Sequence, residues 1–296
     1  MRISVHLAVV LTAVSLCIAQ AAGQVAGQEL NAEAKSKDVA EARAKRNAQQ
    51  FQNNASVLTL LDRYGKRTGQ VGERAMYDSA FLSPDGKRVV GARQDLDTES
   101  FDLFVSDVAT GATTRLTTSA RREFALSPIW SPDSNRLAYV MMRGGQEGIY
   151  VRTADGHAAE ELVYKNPGAF MDLSDWSADG RSLTFSISDI KGGTLYVLPL
   201  AGGLESKPLE IFHSDLRIFE SRFSPDGRYL SYMLLDKTDK AEVYVRPADP
   251  AATTGPWQIS DGSFSPGFWV QHGKQLNYMA RDRSVMAAEV STSPSF

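Results

Sequence analysis

Four acidic residues recur at one place in a repeating pattern, each beside an aromatic: Tyr77-Asp78, Glu123-Phe124, Phe170-Met171-Asp172 and Phe219-Glu220. Phe264 is the aromatic of a fifth such position. Carboxylates from separate segments, once gathered, supply the acid and base of a bond-cleaving hydrolase or lyase. Joined with the aromatics they form instead a ring that suits a peptide or protein segment of basic character. The aromatics alone also fit a purely structural role, wedging neighbouring repeats apart, and the sequence leaves these readings open.

Other chemistries lack their residues. The strained serine turn G-x-S-x-G is absent, and Gly262-Ser-Phe-Ser-Pro-Gly267 has the wrong spacing for it. His157, His213 and His272 fall in different repeats at or near turns, as exposed loop residues do. No H-x-x-x-H spacing and neither glycine-rich phosphate pattern occurs, so no metal or cofactor site is expected and no catalytic residue is assigned.

The chain that must position these residues has an export signal at its start. Arg2 precedes an apolar run from Ile3 to Ile18, and Ala19-Gln20-Ala21 offers small residues for cleavage, so residues 1–23 read as a signal peptide. Its removal takes one base and no acid, changing the net charge from −3 to −4. The single cysteine, Cys17, leaves with it, so the remaining chain forms no internal disulfide. No basic block for nucleic acid and no membrane span after the signal are expected. Residues 24–54 read as a leader: Glu29 to Phe51 is rich in Ala, Glu, Lys and Arg, with Glu33/Lys37 and Glu41/Lys45 at helical spacing. Leu30, Val39 and Phe51 make no apolar stripe, which favours a solvated helix over one that docks on a partner.

From residue 55 to 296 the texture becomes short β-rich runs between turn residues. Ser83-Pro84-Asp85-Gly86, Ser131-Pro132-Asp133-Ser134, Ser177-Ala178-Asp179-Gly180 and Ser224-Pro225-Asp226-Gly227 recur, with a degenerate copy at Val270-Gln271-His272-Gly273. Their first residues, 83, 131, 177, 224 and 270, lie 48, 46, 47 and 46 apart. Proline pre-sets φ, aspartate bonds its own backbone and glycine takes the positive φ that closes the turn, so each is a hairpin corner. The flanking Leu82, Trp130, Trp176, Phe223 and Trp269 recur once per repeat, as packing between repeats requires. Strands such as Arg136–Val140 and Tyr229–Met233 follow the corners. A second strand comes at Asp102–Val105, Gly148–Val151, Thr194–Val197, Glu242–Val245 and Ser284–Ala287, and a further short one at Thr114–Thr117, Glu161–Val163 and Trp257–Ile259. Four strands in about 47 residues is the period of an all-β propeller.

The W/F-S-P-D-G-K/R corner, the D-x-L/I/V-Y/F-V strand and Arg115-Leu-Thr117 at the end of the first repeat resemble the TolB-type propeller repeat over residues 57–296. The resemblance implies a six-bladed TolB-like fold. The sequence shows five recognisable four-stranded repeats, the last stopping after its third strand, plus a half blade at Val57–Val71, with closure left open and a short N-terminal helix ahead of them. It also implies a non-catalytic scaffold in the periplasm or outside the cell that binds a protein or peptide of the cell envelope. The alternatives are the substrate-filter propeller of a prolyl-oligopeptidase-like serine hydrolase system lacking its catalytic domain, and a hydrolase or lyase using channel carboxylates. Export predicts a first residue between Ala22 and Gln24 in envelope-localised protein, and mass spectrometry finding Met1 there would contradict it.

Overall fold

The computed structural model describes residues 32–291 except 146, 167–169, 239 and 264, and omits the side chains of 32–38. The expected signal segment, its cleavage point and Phe264 therefore lie outside the described residues. The chain belongs to the all-β class, with strands grouped into antiparallel sheets. It divides into two compact units, Met1–Leu82 with Gly86–Glu123 and Ser83–Asp85 with Phe124–Phe296.

The corners adopt the turn that their residues dictate. Ser83, Ser131, Ser177 and Ser224 each donate from Oγ to Oδ1 of the aspartate two residues on, at 2.6, 2.5, 2.6 and 2.6 Å. The hydroxyls of Ser131, Ser177 and Ser224 also accept the N–H five residues ahead, of Arg136, Ser182 and Tyr229, which pins the start of the next strand. Gly86, Gly180 and Gly227 have φ of 73°, 74° and 72°. Ser134 takes the same conformation at 63°. Its hydroxyl accepts the N–H of Asp85 at 3.1 Å, which ties one corner to the next and accounts for a serine where the other repeats have glycine.

In the first unit α1 (Ala32–Asn54) precedes β1 (Ser56–Leu61) and β2 (Arg67–Leu82). The first half of β2 pairs with β1, Leu58 opposite Val71, so the segment read as a half blade is a hairpin whose second strand runs on into the first repeat. The second half pairs with β3 (Arg88–Asp95), which pairs with β4 (Ser100–Asp107) and through it β5 (Thr113–Arg115). The helix docks rather than standing free. Asn47, 8% exposed, donates to the Leu96 carbonyl at 3.0 Å and to Asp97 at 3.1 Å. Arg43 donates to the Asp97 carbonyl, and Arg74 stacks on the Phe51 ring at 5.7 Å and donates to the Gln52 carbonyl at 2.8 Å. The contacts are polar apart from one ring, which is why no apolar stripe announces them.

Asp102 explains why the second-strand motif and the R-L-T ending occur in one repeat. Its buried carboxylate accepts from Arg115 at 2.5 Å, Thr117 at 2.7 Å and the Ser119 N–H at 2.9 Å. Glu242 repeats the clasp in the fourth repeat, with Lys240 at 2.6 Å, Ser260 at 2.7 Å and the Gly262 N–H at 2.6 Å.

The second unit carries the remaining repeats. The second repeat is β6 (Phe124–Trp130), β7 (Arg136–Met142), β8 (Gly148–Thr153) and β9 (Glu161–Lys165). The next is β10 (Met171–Trp176), β11 (Ser182–Asp189), β12 (Gly192–Pro199) and β13 (Leu209–Ser214). The fourth repeat is β14 (Arg217–Phe223), β15 (Tyr229–Leu235), β16 (Ala241–Pro247) and β17 (Trp257–Gln258). Three described strands, β18 (Phe268–Val270), β19 (Gln275–Met279) and β20 (Val285–Glu289), form the fifth.

Apolar side chains fill the spaces between consecutive sheets. Val140, Ile149 and Val151 pack with Leu173, Trp176, Leu183 and Phe185, and Leu195, Val197 and Ile211 pack with Ile218, Phe223 and Tyr232. Trp130, Trp176 and Phe223 are buried, and Trp269 packs on the last core with Val243 and Leu276. The aromatics before the corners are thus packing residues.

A Cβ at Gly86, Gly180 or Gly227 would meet nothing within 4 Å, so only the backbone resists substitution there. Each Gly→Val is expected to cost about 1–2 kcal/mol in urea unfolding, the penalty of a left-handed L residue. Ser134→Gly should bring no gain, because the lost bond to Asp85 offsets the relief. Three neutral Gly→Val variants would overturn the turn assignment.

Candidate functional site

The inner strands β10 and β14, from consecutive repeats, lie close because small residues line the approach. Ser186 and Ser188 on β11 donate to the Ile218 carbonyl at 2.6 and 3.1 Å, and Thr184 bonds Ser221 at 2.8 Å. Gly193 belongs to the same contact: a Cβ there would stand 2.7 Å from the Ile218 nitrogen.

Both strands break their ladder at a bulge. On β10 Leu173 faces Phe185 and Asp175 faces Thr184, leaving Ser174 unopposed. On β14 the irregularity falls between Phe219 and Arg222, with Glu220 at φ 52°. Bulges re-aim side chains and free backbone donors. The freed N–H of Glu220 donates to Asp172 Oδ2 at 2.8 Å, and Ser174 Oγ donates to the same oxygen at 3.0 Å.

Four of the residues singled out in the sequence are thereby brought together. The Phe170 and Phe219 rings meet edge to face, their centroids 6.5 Å apart, and Phe170 is 52% exposed. Asp172 and Glu220 stand beside them. The other residues have partners of their own. In the first unit the Tyr77 hydroxyl donates to the Glu73 carbonyl at 3.1 Å, and Arg93 is sandwiched between the Tyr77 and Phe104 rings at 5.1 and 4.3 Å. Asp78 sits at the β2 bulge, and burial raises its carboxyl. Glu123 accepts the Ala120 N–H at 2.9 Å, closing its own turn, and Phe124 begins β6 opposite Met142. His157 is exposed and paired with Asp155, and His213 bonds Thr194 from β13.

Two further charged residues belong to the site. Asp175 accepts the Phe223 N–H at 2.9 Å. Arg222 reaches Glu220 at 3.4 Å, lies over the Phe268 ring at 4.8 Å and accepts Trp269 Nε1 on its carbonyl at 3.3 Å. Both occupy the position two before the corner, where the earlier repeats have Phe81 and Ile129. That change from apolar to charged was the sequence signal for them.

Three carboxylates thus share one guanidinium. Burial raises the Asp172 carboxyl, against the Glu220 N–H, Ser174 and Arg222, which favour its charge. Burial and then the neighbouring Asp172 charge raise Glu220, whose side chain still keeps 47% of its surface. Asp175 is pushed up to about 6 by burial, opposed by Arg222. Among the described residues no cluster of three or more His, Cys, Asp and Glu has the arrangement to hold a metal ion.

A sequence profile of the TolB beta propeller domain matches residues 119–295, more than half of the chain. The chain belongs to that family. It is similar to the uncharacterized peptidase YuxL of Bacillus subtilis, 28% identical over 111 residues, 36% of this chain and 16% of that one. It is also similar to dipeptidyl-peptidase 5 of Trichophyton equinum, 27% identical over 92 residues, 29% of this chain and 13% of the relative. The chain therefore spans less than a fifth of these curated relatives. Among solved structures it resembles TolB from Acinetobacter baumannii, at TM-score 0.57 and 16% identity, over 81% of this chain and 62% of that one. The putative TolB from Agrobacterium tumefaciens aligns at TM-score 0.56 and 16% identity over 78% of this chain and 82% of that one. At such identity the likeness is one of fold.

Because Asp175 binds its proton more tightly in the folded chain than in the unfolded one, it lowers stability as pH rises from about 4 to about 6. Asp175→Asn keeps an oxygen for the Phe223 N–H. The variant is expected to exceed the parent by roughly 1–3 kcal/mol in urea unfolding at pH 7.5 and to match it near pH 4. Equal stability at both pH values would contradict the burial argument.

Proposed function

We propose that this chain is a non-catalytic propeller of the cell envelope that binds a protein or peptide segment of basic character through the inner strands of its third and fourth repeats. One observation carries the reading: an edge-to-face aromatic pair, exposed Phe170 and half-buried Phe219, stands beside three carboxylates, with Arg222 reaching Glu220 and Arg217 over the Phe219 ring at 5.7 Å, so the acids outnumber the arginines. Aromatic rings supply contact area at small entropic cost, and surplus carboxylates favour a cationic side chain. The TolB family match and the export signal in the sequence support an envelope partner. No helix among the described residues is long and apolar enough to cross a membrane.

The matches to peptidases favour a second reading, in which the propeller filters substrates for a separate hydrolase chain. The two separate by what is captured. Affinity purification from envelope extract should recover a partner with the parent chain and lose it at least tenfold with Phe170→Ser/Phe219→Ser, while thermal unfolding of the variant stays close to the parent's. A captured serine hydrolase would favour the filter reading, and undiminished capture by the double variant would remove the site from both. Glu220→Gln addresses the acid–base alternative, since a hydrolase or lyase using Asp172 and Glu220 would lose turnover while still binding its substrate.

A further inference from the structure

The tip of the hairpin β1–β2 is built unlike the rest of this acidic chain. Asp62 turns its carboxylate back on the loop, accepting the N–H groups of Tyr64 at 2.8 Å and Lys66 at 3.0 Å, while its own N–H donates to the Lys66 carbonyl at 2.9 Å. Gly65 takes φ 80° to close the turn. The one acid of the tip is thus spent on the backbone, and the outward side chains are Arg63, Tyr64, Lys66 and Arg67, all exposed. Tyr64 keeps 78% of its surface and Leu61 beside it 37%. Arg63 lies over the Tyr64 ring at 4.7 Å and donates to its hydroxyl at 2.6 Å, so the exposed ring is accompanied by a cation.

A rigid turn carrying one aromatic, one aliphatic and three cations has the composition of a membrane-interface anchor. Tyrosine settles at headgroup level, and arginine and lysine lay their stems along the apolar boundary with their charges at the phosphates. The nearby cation Arg74 is held by Gln52, Ala55 and Phe51 and is not part of the tip. We infer that this hairpin tip docks the protein reversibly on a bilayer surface bearing anionic phospholipid headgroups, independently of the site on β10 and β14. Three cations near an anionic surface give about a hundredfold preference for it over a neutral one, and one ring adds little, so the contact is weak and screened by salt. It orients a protein already in the envelope and does not anchor it.

Hydrogen exchange reads the tip directly, whatever the rest of the chain does with lipid. The full chain is mixed with vesicles of phosphatidylcholine containing 30% phosphatidylglycerol, with pure phosphatidylcholine vesicles, and with inorganic phosphate alone. Slowed exchange across residues 61–68 is expected only with the anionic vesicles, and it should vanish in 0.5 M NaCl. The variant Arg63→Ser/Lys66→Ser/Arg67→Ser leaves Asp62 and Gly65 in place, so its turn persists. It should lose the protection at the tip and about a hundredfold of its preference for anionic over neutral vesicles in flotation. Protection that is absent with anionic vesicles, equal with neutral ones, reproduced by phosphate alone or retained in the triple variant would overturn the inference. A folded variant, shown by an unchanged circular dichroism melt, ensures that lost protection reports lost lipid contact.

Discussion

The short bond from a serine hydroxyl to the aspartate two residues ahead organises each repeat. At about 2.6 Å in all four corners it fixes the aspartate, and the hydroxyls of Ser131, Ser177 and Ser224 also receive the first N–H of the following strand. One side chain therefore closes the turn and sets the register of the hairpin it joins. Register decides which face of each strand is apolar, because a slip of one residue would exchange the two faces. The packing of consecutive sheets through Trp176 and Phe223 follows from that choice. The Asp102 and Glu242 clasps do for the outer strands what the corners do for the inner ones.

The inner strands β2, β6, β10 and β14 all carry a bulge, and the repeats differ in the residues placed there. An extra residue cannot join the ladder, so its N–H seeks another acceptor and its side chain leaves the alternation. At Glu220 that acceptor is Asp172, in the repeat before. The same irregularity that links two repeats thus sets their carboxylates side by side. Their shared environment holds more negative charge than Arg222 balances, and burial resolves the imbalance by raising the acids' affinity for protons. The features that position the site and those that tune it have one origin.

The helix and the hairpin tip show charge used in two different ways. Arg43 and Asn47 spend their donors on the turn between β3 and β4, where Asp97 receives them, and this holds α1 without a hydrophobic face. Arg63, Lys66 and Arg67 stay turned to solvent because the tip's only acid is occupied by backbone N–H groups. Composition registers Arg43 and the tip cations alike, as basic residues of a chain with net charge −3. Their partners make one a structural clamp and leave the other exposed to solvent.

Periodicity carried the architecture. The spacing of the corners, the residue types within them and the alternation of the strands are local properties, each with a conformational cause that acts over a few residues, so the five repeats, the positive φ at Gly86, Gly180 and Gly227 and the packing role of Trp130, Trp176 and Phe223 were all legible in the sequence. The aromatic–acid positions were legible too, but only as a set of equals. Nothing local distinguishes Asp172 and Glu220 from Asp78 and Glu123. The tertiary structure selected the first pair, because which acids meet depends on a bulge that frees one N–H and on how closely β14 approaches β11 over Gly193, Ser186 and Ser188. It also added Asp175 and Arg222, whose position in the repeat is apolar elsewhere. Repetition specifies a backbone many times over, whereas a site arises where repeats differ and touch, and contact between residues 48 apart is a property of the folded chain alone.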